Sequence, residues 1–281
     1  MNTVKTVLLL GLLSGILLFL GEAFGGRNGL YIGLIIAVAM NFFSYFFSDR
    51  IVLATYAAQP VSADQNPSIY ARVAPIVGGL AQRMDIPMPK LWLIADPSPN
   101  AFATGRNPQH ASVAFTAGIL ESMTDAEIEG VVAHELGHVL HRDILISSVA
   151  ATIAAAITFL ARMAFFFGGS RDDEREEGGG FGGLLMLILA PIAAMLIQMA
   201  ISRSREFDAD AASAKYTGKP YELISALQKL EAYSKRVPME ATPSTAHLFI
   251  IKPFTGESLM RLFSTHPSTA DRIARLQAMT R

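Results

Sequence analysis

The 281-residue chain contains no cysteine. That absence excludes disulfides and any thiolate metal site, and it leaves His, Asp and Glu as the strong metal ligands available. It also fits a reducing compartment. Charge is scarce: charged residues make up 17% of the chain, against about 25% in a soluble globular protein. The net charge is −1. No basic excess exists to attract nucleic acid, so nucleic acid is not expected as a partner. No internal repeat is present.

The missing charge is concentrated in four apolar runs. They are VKTVLLLGLLSGILLFLGEAF (residues 4–24), GLYIGLIIAVAMNFFSYFF (29–47), ILISSVAATIAAAITFLARMAFFF (144–167) and LLMLILAPIAAMLIQMAIS (184–202). About 20 apolar residues cross the hydrocarbon core as a helix, so the sequence predicts four transmembrane helices. Arg162 lies near the end of its run, where a long side chain snorkels to the interface, and membrane helices tolerate Pro191 and Gln198. A cleaved signal peptide competes for the first run, but no A-x-A site follows and the second run begins almost at once. A buried hairpin in a soluble core competes for the last two.

Basic residues orient the chain. The first connection carries Arg27, and the Gly-rich linker 168–183 carries Arg171 and Arg175 against five acids. Residues 49–143 carry six basic residues and the tail after residue 202 carries twelve. These two larger segments are therefore expected on the cytoplasmic side, with both termini, and the short connections outside. Four segments follow: two N-terminal spans (1–48), a first cytoplasmic segment (49–143), a second hairpin (144–202) with its external linker, and a second cytoplasmic segment (203–281).

Within residues 49–143, a helix is expected over 66–85 and a short strand in KLWLIADP from Lys90. NAFATG from Asn100 and ASVAFT from Ala111 read as two strands joined by GRNPQH. Thr124 and Glu127 form a capping box that opens a helix near Asp125. No stop signal precedes residue 144, so this helix is expected to run into the third span or bend there. The stretch SRSREFDADAASAKY is helical in pattern as far as Gly218. A further helix is expected over 219–237, then looser chain with Pro238, Pro243 and Pro253, then a short terminal helix.

The capped helix carries HELGH. Residues four apart share a helix face, so His134 and His138 present imidazoles to one tetrahedral Zn²⁺. Glu135 projects beside that pair and reaches a water at the metal, as the general base of peptide hydrolysis. Spacing of this kind also occurs on ordinary solvated helices. A third ligand is needed. His141 lies about 10 Å along the helix axis from His134 at ~1.5 Å per residue, too far without a bend. Glu206 and Asp210 share a face of SRSREFDAD. Glu206 is a candidate third ligand and Asp210 a candidate acceptor for a ligand histidine's other N–H. The competing reading is a helix whose acids pair with Arg203 and Arg205. Asp208 points elsewhere.

These motifs in order resemble the HtpX family of bacterial membrane zinc metalloproteases, relatives of the CAAX prenyl proteases. The resemblance covers nearly the whole chain: two N-terminal runs, PNAFATG, HELGH followed by HRD, SRSREFDAD and THPSTADRI. It implies a mainly α integral membrane protein with about four transmembrane helices and a zincin-like (gluzincin) catalytic domain containing a small β-sheet. It implies one zinc per chain, Glu206 as third ligand and Asp210 behind a ligand histidine. It places Asn100, Ala101 and Phe102 on an edge strand that pairs with extended substrate, and has His266 and Arg272 steady the oxyanion and the Asp network. The implied activity is cleavage of misfolded or damaged membrane proteins at the cytoplasmic face of the bacterial inner membrane, in stress-linked quality control. The partners the resemblance implies are protein substrates, membrane proteins among them, and the lipid bilayer. A prenyl-protein peptidase and a catalytically silent zinc scaffold are the alternatives. Glu135 argues against the scaffold, since a structural site needs no such carboxylate.

Overall fold

The computed structural model describes residues 2–150, 152–153, 203–234, 250 and 267–279. The apolar run 184–202, most of the run 144–167, the linker 168–183, the Pro238–Pro253 stretch and His266 lie outside the described residues.

The first two apolar runs fold as α1 (Asn2–Thr55), a helix folded back on itself at Gly26, whose φ of 56° and ψ of −141° are non-helical. Glycine makes the return possible. A Cβ on Gly29 would lie 1.9 Å from the Gly21 carbonyl oxygen, and one on Gly33 would lie 2.6 Å from that of Leu17. The backbones thus touch, as small residues allow between membrane helices. Asn41 Nδ2 donates to Ser14 Oγ across the pair at 2.8 Å. Outward side chains are apolar, with Phe19 and Ile35 each 70% exposed. Water penalises such a surface and lipid does not. Among the described residues one helix, Gly25–Thr55, is long and apolar enough to cross a membrane; Val4–Phe19 is apolar but shorter.

After α1 come β1 (Gln59–Pro60), α2 (Pro67–Arg83), β2 (Lys90–Ile94), β3 (Ala101–Gly105) and β4 (Ala111–Thr116). The sheet order is β1-β2-β4-β3, with β2 and β4 parallel and the other pairs antiparallel. The β3–β4 hairpin leaves β3 on an edge. Strand alternation divides its residues between two faces. Ala101 and Ala103 join the main core with Val73 and Val77 of α2. Phe102 faces Val52 and Leu53 at the end of α1.

Next are α3 (Ala117–Ser122) and α4 (Asp125–Leu140), the helix of the HELGH motif. Its capping box forms as the sequence predicts: Glu127 N–H donates to Thr124 Oγ1, and Thr124 N–H donates to Glu127 Oε2 at 2.9 Å. Glu127 also accepts from Ser225 Oγ at 2.6 Å and Lys229 Nζ at 2.7 Å. Burial would raise this carboxyl, but Lys229, Ser225 and the Thr124 bonds hold it down at about 2. It pins α4 to a later helix. Glu127→Ala removes the return bond of the capping box and the acceptor for Ser225 and Lys229, while the Thr124 cap on the residue 127 N–H remains, so it is expected to cost about 2 kcal/mol, read as a lower midpoint of chemical unfolding.

Helix α4 bends before the third apolar run. Arg142 takes a left-handed φ of 59°, and Asp143 N–H donates to His138 O at 2.8 Å. Residues 144–150 are helical again. Beyond the undescribed stretch lie α5 (Arg203–Thr217), α6 (Pro220–Ser234) and α7 (Thr269–Ala278). Gly218, with φ of 67°, closes α5. Gly137 matters for what comes next. A Cβ there would be 3.1 Å from the Ala209 Cα and the Ala212 Cβ. The small residue lets α5 lie against α4, so the acidic face of one meets the histidine face of the other.

Candidate active site

His134 and Glu135 are buried at 1% and 5% exposure, and Glu206 at 6%. His134 Nε2 lies 3.8 Å from Glu206 Oε2, and His138 Nε2 lies 3.5 Å from Glu206 Oε1. The imidazole rings stand 87° apart with centroids 4.8 Å apart. One ligand atom from each of His134, His138 and Glu206 lies within 4.8 Å of the others. Ligand bonds of about 2 Å to a shared ion suit that spacing, and two imidazoles with one carboxylate are an open-site donor set for a divalent cation.

The outer ring nitrogens are held by carboxylates. His134 Nδ1 is 2.9 Å from Asp210 Oδ1 and His138 Nδ1 is 3.2 Å from Asp143 Oδ2. Each Nδ1–H donates to its carboxylate, which fixes the tautomer and turns Nε2 toward Glu206. Arg272 then clamps Asp210. Its Nε donates to Oδ2 at 2.9 Å and its Nη2 to Oδ1 at 2.6 Å. Nη2 also lies 3.2 Å from His134 Nδ1, but two N–H donors cannot bond each other, so both give to Asp210. Arg272 Nη1 donates to Ile250 O at 3.1 Å and lies 3.8 Å from Glu206 Oε2. Burial would raise the Asp210 carboxyl, but Arg272 and His134 outweigh it and hold it at about 2.

The two histidines are driven apart. Burial, then the Arg272 charge, pulls His134 below its ordinary value. Burial pulls His138 the same way, but the Asp143 hydrogen bond with the Glu206 and Glu135 charges pushes it to about 9. Burial pushes Glu135 up to about 7, against the His138 charge and a bond from Ala103. That bond runs from Ala103 N–H to Glu135 Oε2 at 2.9 Å. Because Ala103 N–H leaves the ladder, alternation turns the backbone of Ala101 to the same open edge of β3.

The residues singled out in sequence thus fall as follows. His134, Glu135, His138, Glu206, Asp210 and Arg272 come together. Asn100 lies at the start of β3, its N–H donating to Thr116 Oγ1 at 2.8 Å and its Oδ1 accepting from Ile250 N at 3.4 Å. Ala101 lies on the edge strand, and Phe102 packs away from the site, on the α1 side, against Tyr56 at 5.8 Å between ring centres. Arg205, offered as a partner for the acids of its own helix, lies 3.9 Å from Asp143 and also feels the Glu206 charge. His141 caps α4 beyond the site. Sequence reasoning missed Asp143 and the Ala103 N–H. Asp143 stands five residues after His138, off the helix face. The bend at Arg142, not a spacing, brings it back. Ala103 contributes backbone, which no residue type announces.

A His-x₃-His pair on one helix, with His134 buried and His138 partly so, a glutamate from a second helix and an intervening carboxylate make a candidate metallopeptidase centre. Comparison with known proteins says which. Residues 67–280 match peptidase family M48. The protease HtpX homolog of Thermodesulfovibrio yellowstonii is 52% identical over 284 residues, covering 100% of this chain and 99% of that protein. The homolog of Methylibium petroleiphilum is 49% identical over 281 residues, covering 99% and 98%. The crystal structure of S. mikatae Ste24p is 20% identical with a TM-score of 0.49; the likeness covers 98% of this chain and 65% of that one. The chain belongs to peptidase family M48, among the HtpX proteases, and is a metalloprotease that acts on protein substrates. Its apolar helix Gly25–Thr55 supports membrane association.

Proposed function

We propose that the protein is a zinc endopeptidase of the bacterial inner membrane that cleaves misfolded or damaged membrane proteins at the cytoplasmic face. The convergence of His134, His138 and Glu206 within 4.8 Å, with buried Glu135 beside them, carries the reading. Zinc held by those three residues would supply a Lewis acid that acidifies water and polarises a peptide carbonyl. Glu135 takes the proton of the attacking water and returns it to the leaving amine nitrogen. Ala103 N–H holds Oε2 and leaves Oε1 toward the reaction. Asp210 and Asp143 keep the imidazoles turned, and Arg272 keeps Asp210 charged and fixed. Within the Asn100–Phe102 segment, an extended substrate adds to the open edge of β3 through the backbone of Ala101, since the Asn100 and Phe102 backbones turn to β4, with specificity left to pockets. His266 is assigned to the oxyanion.

The chain crosses the bilayer four times, with both termini and residues 49–143 and 203–281 inside. This brings the zinc close to the bilayer surface, which favours substrates emerging from the membrane. The absence of cysteine makes a clean test possible. In intact cells, single cysteines at Arg27 and Ser170 are expected to react with an impermeant maleimide, and one at Asp208 is not. Labelling at Asp208 from outside would overturn the sidedness. The purified protein is expected to lose cleavage of an unfolded protein on chelation and to regain it with zinc alone. Undiminished cleavage after complete chelation would overturn the zinc reading.

A further inference from the structure

A cavity of about 230 Å³ lies where the α1 hairpin meets the catalytic domain, lined by Thr6, Val7 and Leu10 with Tyr45, and by Arg106, Asn107, Arg142 and Leu145. Two arginines line it and, among the described residues, no carboxylate does. Its apolar wall belongs to α1 and the helix at 144–150. Val7 both lines it and is 62% exposed, beside Val4 at 63% and Leu8 at 57%. The polar floor therefore continues directly into an exposed apolar surface. Arg106 is held over the Phe46 ring, 5.4 Å from its centre. A neighbouring cavity of about 290 Å³ shares Arg106 and adds Arg50 and Lys90, with Asp49 as the one carboxylate.

We propose that the first cavity binds the phosphodiester headgroup of an anionic phospholipid. The planar guanidinium fork matches phosphate oxygens, and basic pockets beside membrane helices on the cytoplasmic side suit such headgroups. The acyl chains would lie along Leu10, Leu145 and Val7 and leave over Val4 and Leu8. A zwitterionic lipid brings its own cation toward two arginines, so it is disfavoured. Arg142 is the left-handed residue between His138 and Asp143, so the lipid would sit next to the bend that returns Asp143 to His138.

The inference rests on the hairpin lying in the bilayer. Alkaline extraction of membranes tests that separately, since a spanning chain stays in the pellet and an adsorbed one is released. The test of the site itself uses the full-length protein in detergent, with thermal unfolding followed as phosphatidylglycerol is added. The midpoint is expected to rise by roughly 5 °C, and phosphatidylcholine or inorganic phosphate to give less than a fifth of that rise. Arg106→Gln with Arg142→Gln is expected to abolish the rise, either substitution alone to halve it, and Arg27→Gln, at the far end of the hairpin, to leave it whole. An unchanged far-ultraviolet circular dichroism spectrum confirms that each variant is folded. Three results would overturn the proposal: an equal rise with phosphatidylcholine, a rise that inorganic phosphate reproduces, which assigns a free-anion site, or a rise that survives in the folded single and double variants.

Discussion

Replacing Glu135 by Gln is expected to lower the rate of peptide cleavage by at least about 10³-fold while leaving zinc in place. The amide keeps the size of the side chain and an oxygen for Ala103 N–H, whose bond to Glu135 is 2.9 Å. It does not disturb His134, His138 or Glu206. What it loses is the ability to accept and return a proton. The same substitution should make the chelated protein more stable at alkaline pH. Burial raises the carboxyl to about 7 from an ordinary 4.5. The unfolded chain therefore gives up this proton first, and its ionisation draws the equilibrium toward unfolding as pH rises from 4.5 to 7. Gln has no proton to lose. Chelated Glu135→Gln should therefore unfold at a higher denaturant concentration than its parent above pH 7 and lose that advantage below pH 4.5. A variant that keeps more than a tenth of the parental rate at full zinc would remove Glu135 from the chemistry.

Arg272→Ala is expected to have the largest effect on stability. Arg272 is 2% exposed and Asp210 fully buried, with two hydrogen bonds between them. Removing the guanidinium leaves a buried carboxylate whose remaining partner among the described residues is His134, and breaking such a pair costs about 3–5 kcal/mol. The loss should reach the metal as well. Asp210 orients His134, and loosening a partner of this kind weakens metal affinity by about 10–100-fold. Lysine should rescue little, because one ammonium cannot make both bonds of the planar fork. Zinc affinity by chelator competition separates this from simple destabilisation. If the folded fraction of Arg272→Lys binds zinc as tightly as the parent, Arg272 holds up the fold without steadying the site.

Much of this arrangement is legible in the letters because helix geometry is periodic. A four-residue step puts His134 with His138 and Glu206 with Asp210, and Thr124 with Glu127 announces where the first of those helices begins. Turn chemistry between Gly105 and Ala111 likewise gives the β3–β4 hairpin. What the letters do not carry is how separate elements meet. The β2–β4 pairing is parallel and skips β3, a long-range choice with no local signal. The contact of α4 with α5 depends on Gly137, which in sequence is only a weak helix former. Asp143 is invisible because a left-handed Arg142, not a repeat, brings it back to His138. The apolar runs are read from composition alone. It marks four of them; among the described residues one helix, Gly25–Thr55, has the length and character of a span, and the runs 144–167 and 184–202 lie mostly outside those residues.

The claim on which the rest depends is that one ion is held by two helices, with Glu206 as the ligand from the second. The most direct measurement is bound metal and casein cleavage on the same detergent-purified preparation, parent beside Glu206→Ala. The parent is expected to hold about one zinc per chain and to cut, and the variant to be folded, empty and inactive. A folded Glu206→Ala that keeps both its zinc and its activity would contradict the account and send the search for the third ligand elsewhere.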